Sequence, residues 1–110
     1  MGDLLVEGTG YEISGVNRGD VYNEIVIKCI NTVDSTDTIV VDLTKYGIHP
    51  TGLMGVEGYN QTTANSVVVQ ADPTTTVSGD DITLTLTAAS NDQHYIIVKG
   101  FATPNPGSSL

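Results

Sequence analysis

The sequence predicts an all-β protein, and three observations carry that prediction. Val and Ile outnumber Leu, Thr is abundant, and β-branched side chains fit a pleated strand better than a helical turn. Twelve glycines and frequent Asn and Asp supply the residues that turns need. Short alternating runs recur at intervals of about eight to twelve residues, and no long run has a helical period. We therefore expect a single-domain antiparallel β-sandwich or jelly-roll-like barrel with extended N- and C-terminal segments.

The chain is long enough for one hydrophobic core, which predicts a single domain of 110 residues. We expect an N-terminal arm or short strand over residues 1–20, with the strand near residues 11–16. The β domain is expected over residues 21–101, and a C-terminal tail rich in Pro, Gly and Ser over residues 102–110.

The first half of the domain contains two strands and a connection. Residues 21–31 form the clearest strand, and residues 38–44 the next, because each places alternate apolar side chains on one face. A loop over residues 32–37 separates them. Residues 45–51 are expected to be a connection, in which Pro50 biases His49 away from helix.

The second half begins with a strand over residues 53–59 that contains Gly55 and Gly58. Glycine inside a strand usually marks a bulge or a close backbone approach. A turn over residues 62–65, a strand over residues 66–71 and a short strand over residues 74–77 follow.

The most regular stretch runs from Asp80 to Gly100. Three apolar residues, Ile82, Leu84 and Leu86, alternate with three threonines, Thr83, Thr85 and Thr87. A polar turn over residues 90–93 and a second β-branched run over residues 94–99 follow, which predicts a β-hairpin with one buried face. The threonine row is uncharged, and we expect it to border a subunit contact.

The charge distribution limits the class of partner. The formal net charge is −9, and the only cations are Arg18, Lys28, Lys45 and Lys99. Phosphate groups and anionic lipids are bound by clustered Lys and Arg, so we expect neither a nucleic acid nor a membrane as partner. The acidic excess keeps the protein soluble, and it also favours docking on a basic protein surface.

No set of residues predicts catalysis, so we expect no enzyme, no cofactor and no metal. The histidines, His49 and His94, accompany no nucleophile motif, and Cys29 lies in phase with buried isoleucines. The aspartates lie in predicted turns, where Asp bonds its own backbone: Asp34, Asp37, Asp80, Asp81 and Asp92. A calcium site in these turns is the sharper alternative, although the chain has no EF-hand loop motif.

Partner contacts are the remaining kind of site. Arg18-Gly19-Asp20 spells the adhesion tripeptide RGD, although the Gly-Asp pair is equally explained as a turn before the next strand. Tyr46 and Tyr59 are candidates for a sugar-binding aromatic platform. The full set of possible partner contacts is Tyr11, Arg18, Tyr46, Tyr59, Thr83, Thr85 and Thr87.

The run from Ile39 to Phe101 carries a resemblance to known proteins. A strand of the form T-I-V-V-D-L leads into K-Y-G-I. The segments that follow are a glycine-rich strand, V-V-V, T-T-T-V-S-G, I-T-L-T-L-T and I-I-V-K-G. This pattern resembles small all-β virion proteins of tailed bacteriophages, especially capsid decoration or cement proteins.

The resemblance implies a non-enzymatic structural protein that binds the outside of a phage capsid and stabilises it. It would be made in the host cytoplasm and reside on the capsid surface of the virion. It implies two partners: the major capsid protein, contacted through the arm or tail, and further copies of itself, often as a homotrimer. The alternatives are a phage tail or fibre component, or a carbohydrate- or ligand-binding β-sandwich module.

Overall fold

The computed structural model describes residues 3–30, 32–62, 67–87, 90–91 and 94–102. These residues form β-strands and one short 3-10 helix, and they contain no α-helix, which confirms the expected all-β class. In chain order the elements are β1 (Tyr11–Asn17), β2 (Tyr22–Cys29), β3 (Thr32–Val33), β4 (Thr38–Asp42), the 3-10 helix (Thr44–Tyr46), β5 (Ile48–Thr62), β6 (Val67–Gln70), β7 (Thr74–Ser78), β8 (Asp81–Thr85), β9 (Ser90–Asn91) and β10 (His94–Ala102).

Two antiparallel sheets make up a sandwich. The larger has the strand order β1-β2-β10-β5-β6 and the smaller the order β4-β8-β7, while β3 and β9 pair with each other. Alternate side chains of both sheets turn inward and form one core: Tyr11, Ile25, Ile27, Cys29, Ile39, Val41, Leu43, Ile48, Ile82, Leu84, Leu86, Ile96 and Val98. Because each sheet has only one apolar face, packing the two together removes both from water.

The pairing predicted for residues 80–100 is wrong, although both halves are strands with the expected alternation. Strand β8 pairs with β4 and β7, whereas β10 pairs with β2 and β5. A hairpin would place both apolar rows on the same face of one sheet. In the sandwich the two rows face the shared core from opposite sheets, so each covers the other. Of the turn expected over residues 90–93, residues 90–91 form β9 instead, and residues 92–93 lie outside the described residues.

Strand β5 is longer than expected, and the connection over residues 45–51 is shorter. The connection is reduced to the 3-10 helix and Gly47, whose φ of 79° ends the helix in the left-handed region. Pro50 is tolerated because the register between β5 and β10 shifts there, between the pairs Leu53↔Gly100 and Ile48↔Ala102. Strand β4 likewise ends at Asp42, because its carboxylate accepts the N–H and hydroxyl of Thr44 and fixes the start of that turn.

The residues before β1 run along the strand edges on one side of the sandwich. Leu5 N–H donates to Thr38 C=O at 2.8 Å, and Thr38 N–H donates to Asp3 C=O at 2.9 Å, so this segment lies parallel to β4. Gly8 N–H donates to Tyr11 C=O at 2.7 Å, which covers the start of β1. Strand β1, expected near residues 11–16, is itself an edge of the larger sheet.

The close backbone approach expected for the glycines of β5 is confirmed at Gly58. Its N–H donates to Asp72 Oδ1 at 2.9 Å, and its C=O accepts the N–H of Ala71 at 2.8 Å. A Cβ at this position would overlap the carbonyl oxygen of Ala71, whereas one at Gly55 would meet open space. The chain after β6 is therefore held against β5 at a position that only glycine fits.

In the part of the chain that the structure describes, no helix has the length and apolar character needed to cross a membrane. Strand β10 ends at Ala102, and the rest of the expected C-terminal tail, residues 103–110, lies outside the described residues. Of the turn expected over residues 62–65, Thr62 is the last residue of β5, and residues 63–65 lie outside the described residues, as does Asp92.

Candidate functional site

The outer surface of the larger sheet gathers most of the aromatic side chains of the chain. Because alternate residues of β2 and β10 are buried, the residues between them point away from the core. The register places Tyr95 opposite Tyr59, Ile97 opposite Val26 and Phe101 opposite Tyr22. We call this surface the tyrosine face, defined by Tyr22, Val26, Tyr59, Tyr95, Ile97 and Phe101.

Two of the four cations of the chain lie on the tyrosine face. Lys28 Nζ lies 5.8 Å from the centre of the Tyr95 ring, and Lys99 Nζ lies 5.3 Å from that of Tyr22. Lys99 Nζ also lies 3.6 Å from Glu24 Oε2. Cations over ring faces are weakly attracted to them, by about 0.5–1 kcal/mol at exposed sites.

The tyrosine face is nearly neutral on an acidic molecule. Two lysines and three glutamates share it, so it carries −1 of the net charge of −9: Glu12, Glu24, Lys28, Glu57 and Lys99. The remaining −8 belongs to the rest of the chain. An aromatic surface with little charge and with rings that are exposed or half-buried is typical of a protein contact.

Tyr59 is the one predicted contact residue on this face. Its hydroxyl donates to Glu57 Oε2 at 2.7 Å, and this hydrogen bond to the carboxylate raises the pKa of Tyr59 above 10.0, with burial contributing less. The ring of Tyr95 lies on the neighbouring strand in direct register. The pair therefore presents two rings and a fixed hydroxyl to a partner.

The predicted threonine row lies on the outer surface of the smaller sheet. Thr85 lies between Thr38 and Thr74, and Thr83 lies between Val40 and Thr76. This surface is uncharged along both rows, and Thr83 and Thr85 are half-buried by their neighbours. Thr87 lies beyond the end of β8, where its hydroxyl donates to the carbonyl of Asp72 at 2.9 Å.

Tyr11 and Tyr46 lie on the side of the sandwich where β1 and β4 meet. Tyr11 is buried in the core, its hydroxyl lies 3.4 Å from Val40 C=O, and burial raises its pKa. Its ring is therefore almost completely covered. Tyr46 is half-buried against the core and lines a cleft with Tyr11 and Asp42, away from Tyr59, so the structure does not unite the two residues of the expected sugar platform.

Arg18 is exposed in the loop between β1 and β2, which presents the RGD tripeptide. Gly19 N–H donates to Asn23 Oδ1 at 3.0 Å, and a Cβ at Gly19 would lie only 2.7 Å from Tyr22 C=O. The glycine of the tripeptide is thus required by the turn itself.

Cys29 and His94 are titratable groups that lie inside the molecule. Cys29 is fully buried as predicted, and burial, reinforced by the negative charge of Asp37, raises its pKa to about 11. His94 is fully buried, neither ring nitrogen has a hydrogen-bond partner among the described residues, and burial lowers its pKa below 6.5. Within the described ranges, no three His, Cys, Asp or Glu side chains cluster in a way that suits a metal ion.

Asp37 acts as a turn residue, as the sequence predicts, and Asp42, which was expected inside a strand, acts in the same way. Asp37 accepts the N–H of Asp3 and that of Asp34, each at 2.8 Å. The hydroxyl of Thr44 donates to Asp42 at 2.8 Å, and this bond lowers the pKa of the Asp42 carboxyl. Both carboxylates therefore satisfy nearby donors that strand and turn ends leave open.

The tyrosine face contains three aromatic residues that the sequence did not single out: Tyr22, Tyr95 and Phe101. A signal for two of them was present, since Tyr95 and Phe101 are out of phase with the buried Ile96 and Val98. Their proximity to Tyr22 and Tyr59 depends on the pairing of β10 with β2 and β5, which the alternation does not encode.

No family model, no curated protein and no solved structure matches this chain.

Proposed function

We propose that this protein is a capsid decoration or cement protein, which binds the outside of a phage capsid through the tyrosine face and stabilises the shell. The observation that carries the proposal is the concentration of aromatic side chains, two exposed and two half-buried, on one nearly neutral sheet surface of an acidic molecule. The resemblance of residues 39–101 to small virion proteins supports a phage capsid as the partner.

The tyrosine face and the rest of the molecule contribute to such a contact in different ways. Tyr and Phe contribute large contact areas with few rotatable bonds, and aromatic residues are enriched among the residues that dominate binding. The acidic remainder steers the protein toward a basic partner surface and opposes contact with anionic ones.

The stabilising mechanism is mass action. A protein that binds the assembled shell and not the released subunits lowers the free energy of the assembled state alone. At a free concentration about 100-fold above Kd, the gain is roughly 2.7 kcal/mol per site. A lattice of many such sites raises the rupture temperature of the shell without any chemical reaction.

The test is to mix the protein with expanded, undecorated phage capsids and to measure co-sedimentation and thermal rupture. We expect binding and a higher rupture temperature, and we expect Tyr22→Ala together with Tyr95→Ala to weaken binding at least about tenfold. Val40→Ala, an exposed apolar residue of the opposite sheet, is the matched control and should bind normally. Failure of the wild-type protein to co-sediment contradicts the proposal, and co-sedimentation with tails instead of capsids favours a tail or fibre component.

A carbohydrate-binding module is the second candidate, and the pairing of Tyr59 with Tyr95 favours it. Two adjacent rings on a sheet surface, with a hydroxyl held by Glu57, suit stacking against a sugar ring. A glycan array that gives signal for the wild-type protein and for Val40→Ala, but not for Tyr59→Ala, supports this candidate. An array without signal for the wild-type protein contradicts it.

A further inference from the structure

A cleft lies on the side of the sandwich where β1 and β4 meet, and we call it the β1–β4 cleft. Its volume is about 200 Å³, and its lining includes Glu7, Tyr11, Val40, Asp42, Lys45 and Tyr46. Sites for drug-sized ligands usually occupy about 300–1,000 Å³. The β1–β4 cleft is therefore of a size that suits one small functional group.

Oxygen atoms with unused hydrogen-bonding capacity line this cleft. Within the described residues, the carboxylate of Glu7 and the hydroxyl of Tyr46 take part in no hydrogen bond, and Glu7 makes no ion pair. The bonds that the Asp42 side chain accepts from Thr44 and Lys45 all go to Oδ1, which leaves Oδ2 available. The cleft therefore offers several acceptors that no group of the described chain satisfies.

The hydroxyl of Tyr11 adds a buried acceptor to this set. Tyr11 is only 6% exposed, and its hydroxyl lies 3.4 Å from Val40 C=O, beyond the roughly 2.5–3.0 Å of an ordinary O–H···O bond. Burial raises the pKa of Tyr11, and the nearby Glu7 carboxylate and Tyr46 side chain raise it further. Three oxygen-bearing groups thus lie close together, and the most deeply buried of them lacks a strong partner.

The one cation that lines the cleft shows how a positive charge is held there. Lys45 Nζ lies 5.5 Å from the centre of the Tyr46 ring, a distance at which the ring face attracts a cation. It makes no ion pair with Glu7 or Asp42 within the described residues. Two carboxylates and one ammonium give the cleft a charge of −1, in a molecule of net charge −9.

We propose that the β1–β4 cleft binds a guanidinium group, supplied by an arginine side chain of a partner protein or by a small molecule. A guanidinium carries five N–H donors in a flat fork and no acceptor, and it stacks on aromatic rings. It therefore complements a lining in which acceptors exceed donors and in which one wall is the ring of Tyr46. The acidic molecule also attracts such a cation from solution.

An NMR titration of the whole protein tests this proposal with two probes, ethylguanidine and the N-acetylated tripeptide amide Gly-Arg-Gly. We expect localised shifts at the amides of Tyr11, Asp42 and Tyr46, with a Kd of about 1 mM or below. The same tripeptide with citrulline in place of arginine has a similar shape without the charge, and it should bind at least about tenfold more weakly. Tighter binding of the arginine peptide than of ethylguanidine supports a protein as the source, and equal binding supports a small molecule.

Variants of the lining distinguish the cleft from the general negative charge. Glu7→Gln should weaken binding at least about fivefold, because it removes a carboxylate with no partner in the described chain. Lys45→Ala should strengthen binding, because it removes the cation that competes for the Tyr46 ring. The matched control is Asp20→Asn, which makes the same charge change as Glu7→Gln at an exposed carboxylate outside the cleft and should bind as the wild-type protein does. Circular dichroism and thermal melting establish that the variants fold.

Three results overturn the proposal. The first is the absence of localised shifts with either guanidinium probe up to about 20 mM. The second is equal affinity for the citrulline peptide, since recognition would then not depend on the cation. The third is an equal loss of affinity in Glu7→Gln and Asp20→Asn, which would assign binding to the net charge of the molecule.

This inference does not depend on the proposed function, because the tyrosine face is the outer surface of the larger sheet and the cleft lies at the side where β1 and β4 meet. A protein that co-sediments with capsids but binds neither guanidinium probe overturns the cleft proposal alone. A protein that binds the probes but not capsids overturns the capsid role alone.

Discussion

Gly58 lies where the backbone of β5 passes closest to the segment that joins β6 to β7. We expect Gly58→Ala to destabilise the protein by about 1–3 kcal/mol, because the added methyl group overlaps the carbonyl oxygen of Ala71 and the strands must separate. Urea unfolding followed by circular dichroism measures the change.

Gly55→Ala is the matched control for that substitution. Position 55 lies on the same strand, a Cβ there meets no atom within 4 Å, and its φ is not in the left-handed region. We expect its unfolding free energy to remain unchanged or to rise slightly, because alanine has less conformational freedom in the unfolded chain. An equal loss of unfolding free energy in both variants would contradict the overlap with Ala71 as the cause, and it would show that glycine is needed at position 58 only for flexibility.

His94 makes stability depend on pH in a specific window. Burial lowers its pKa in the folded state below the ordinary 6.5, so below pH 6.5 the unfolded chain binds a proton that the folded protein does not. Above pH 6.5 the ring is neutral in both states, and His94 does not lower the free energy of unfolding. Below pH 6.5 the free energy of unfolding declines as the pH falls, by at most about 1.4 kcal/mol per pH unit for this one group.

Replacement of the ring tests that window. His94→Leu should flatten the profile of unfolding free energy between pH 6.5 and about 5, where carboxylates with ordinary pKa values remain ionised. Asp42, whose pKa is lowered, contributes only at more acidic pH, so the two effects separate along the pH axis. A profile identical to that of the wild-type protein excludes His94 as its source.

Burial at single positions was largely predictable, because it follows from alternation within one strand. The phase of Ile25 and Ile27 predicts a buried Cys29, and the phase of Ile96 and Val98 predicts a partly buried His94, which the structure buries completely. The depth of Tyr11 was not predictable, since it depends on β4: the Tyr11 hydroxyl lies 3.4 Å from Val40 C=O, a residue 29 positions away in sequence.

At the scale of elements, the carboxylate of Asp37 joins the segment before β1 to β4. One oxygen accepts the Asp3 N–H and the other the Asp34 N–H, and Asp37 itself is only 4% exposed. We expect Asp37→Asn to cost about 1–3 kcal/mol, because an amide offers one acceptor oxygen where the carboxylate offers two. Hydrogen exchange should accelerate at the amides of Leu5 and Thr38, which pair in that region.

Asp34→Asn is the control for Asp37, since the side chain of Asp34 is exposed and only its backbone takes part. We expect its exchange rates at Leu5 and Thr38 to match those of the wild-type protein. Equal acceleration of hydrogen exchange in both variants would mean that the net charge, and not the two hydrogen bonds of Asp37, determines the exchange rates at the edge of β4.

Alternation predicted the strands but not their partners. The periods of β8 and β10 are clear in the sequence, yet a period of two fixes only which residues share a face. Two successive amphipathic strands satisfy that pattern equally well in one sheet or in two facing sheets. The tyrosine face depends on this choice, so it could not be derived from residues alone.

At the scale of the whole molecule, the excess of acidic residues opposes folding. The net charge is −9, and the described residues contain a single ion pair, Lys99 with Glu24. We expect the melting temperature to rise by about 4 °C or more between low and about 0.5 M salt, or roughly 1 kcal/mol for a domain of this size.

Reducing the charge should reduce that salt effect. A variant with Asp20→Asn and Asp80→Asn removes two exposed carboxylates, and we expect a smaller rise in melting temperature over the same salt range. Differential scanning calorimetry of the two proteins measures the difference. A salt effect that is unchanged in the variant would assign it to general solvent effects on burial instead of charge repulsion.

The central position of β10 in the larger sheet has a consequence for synthesis. Strands β1 and β2 leave the ribosome long before residues 94–102, and β5 and β6 follow, but β10 must lie between these two hairpins. Until it emerges, the nascent chain holds two half-sheets with open inner edges, a state prone to aggregation and protected in cells by chaperones. The large sequence separation of the β2–β10 pair also predicts slow folding, on a scale of milliseconds to seconds.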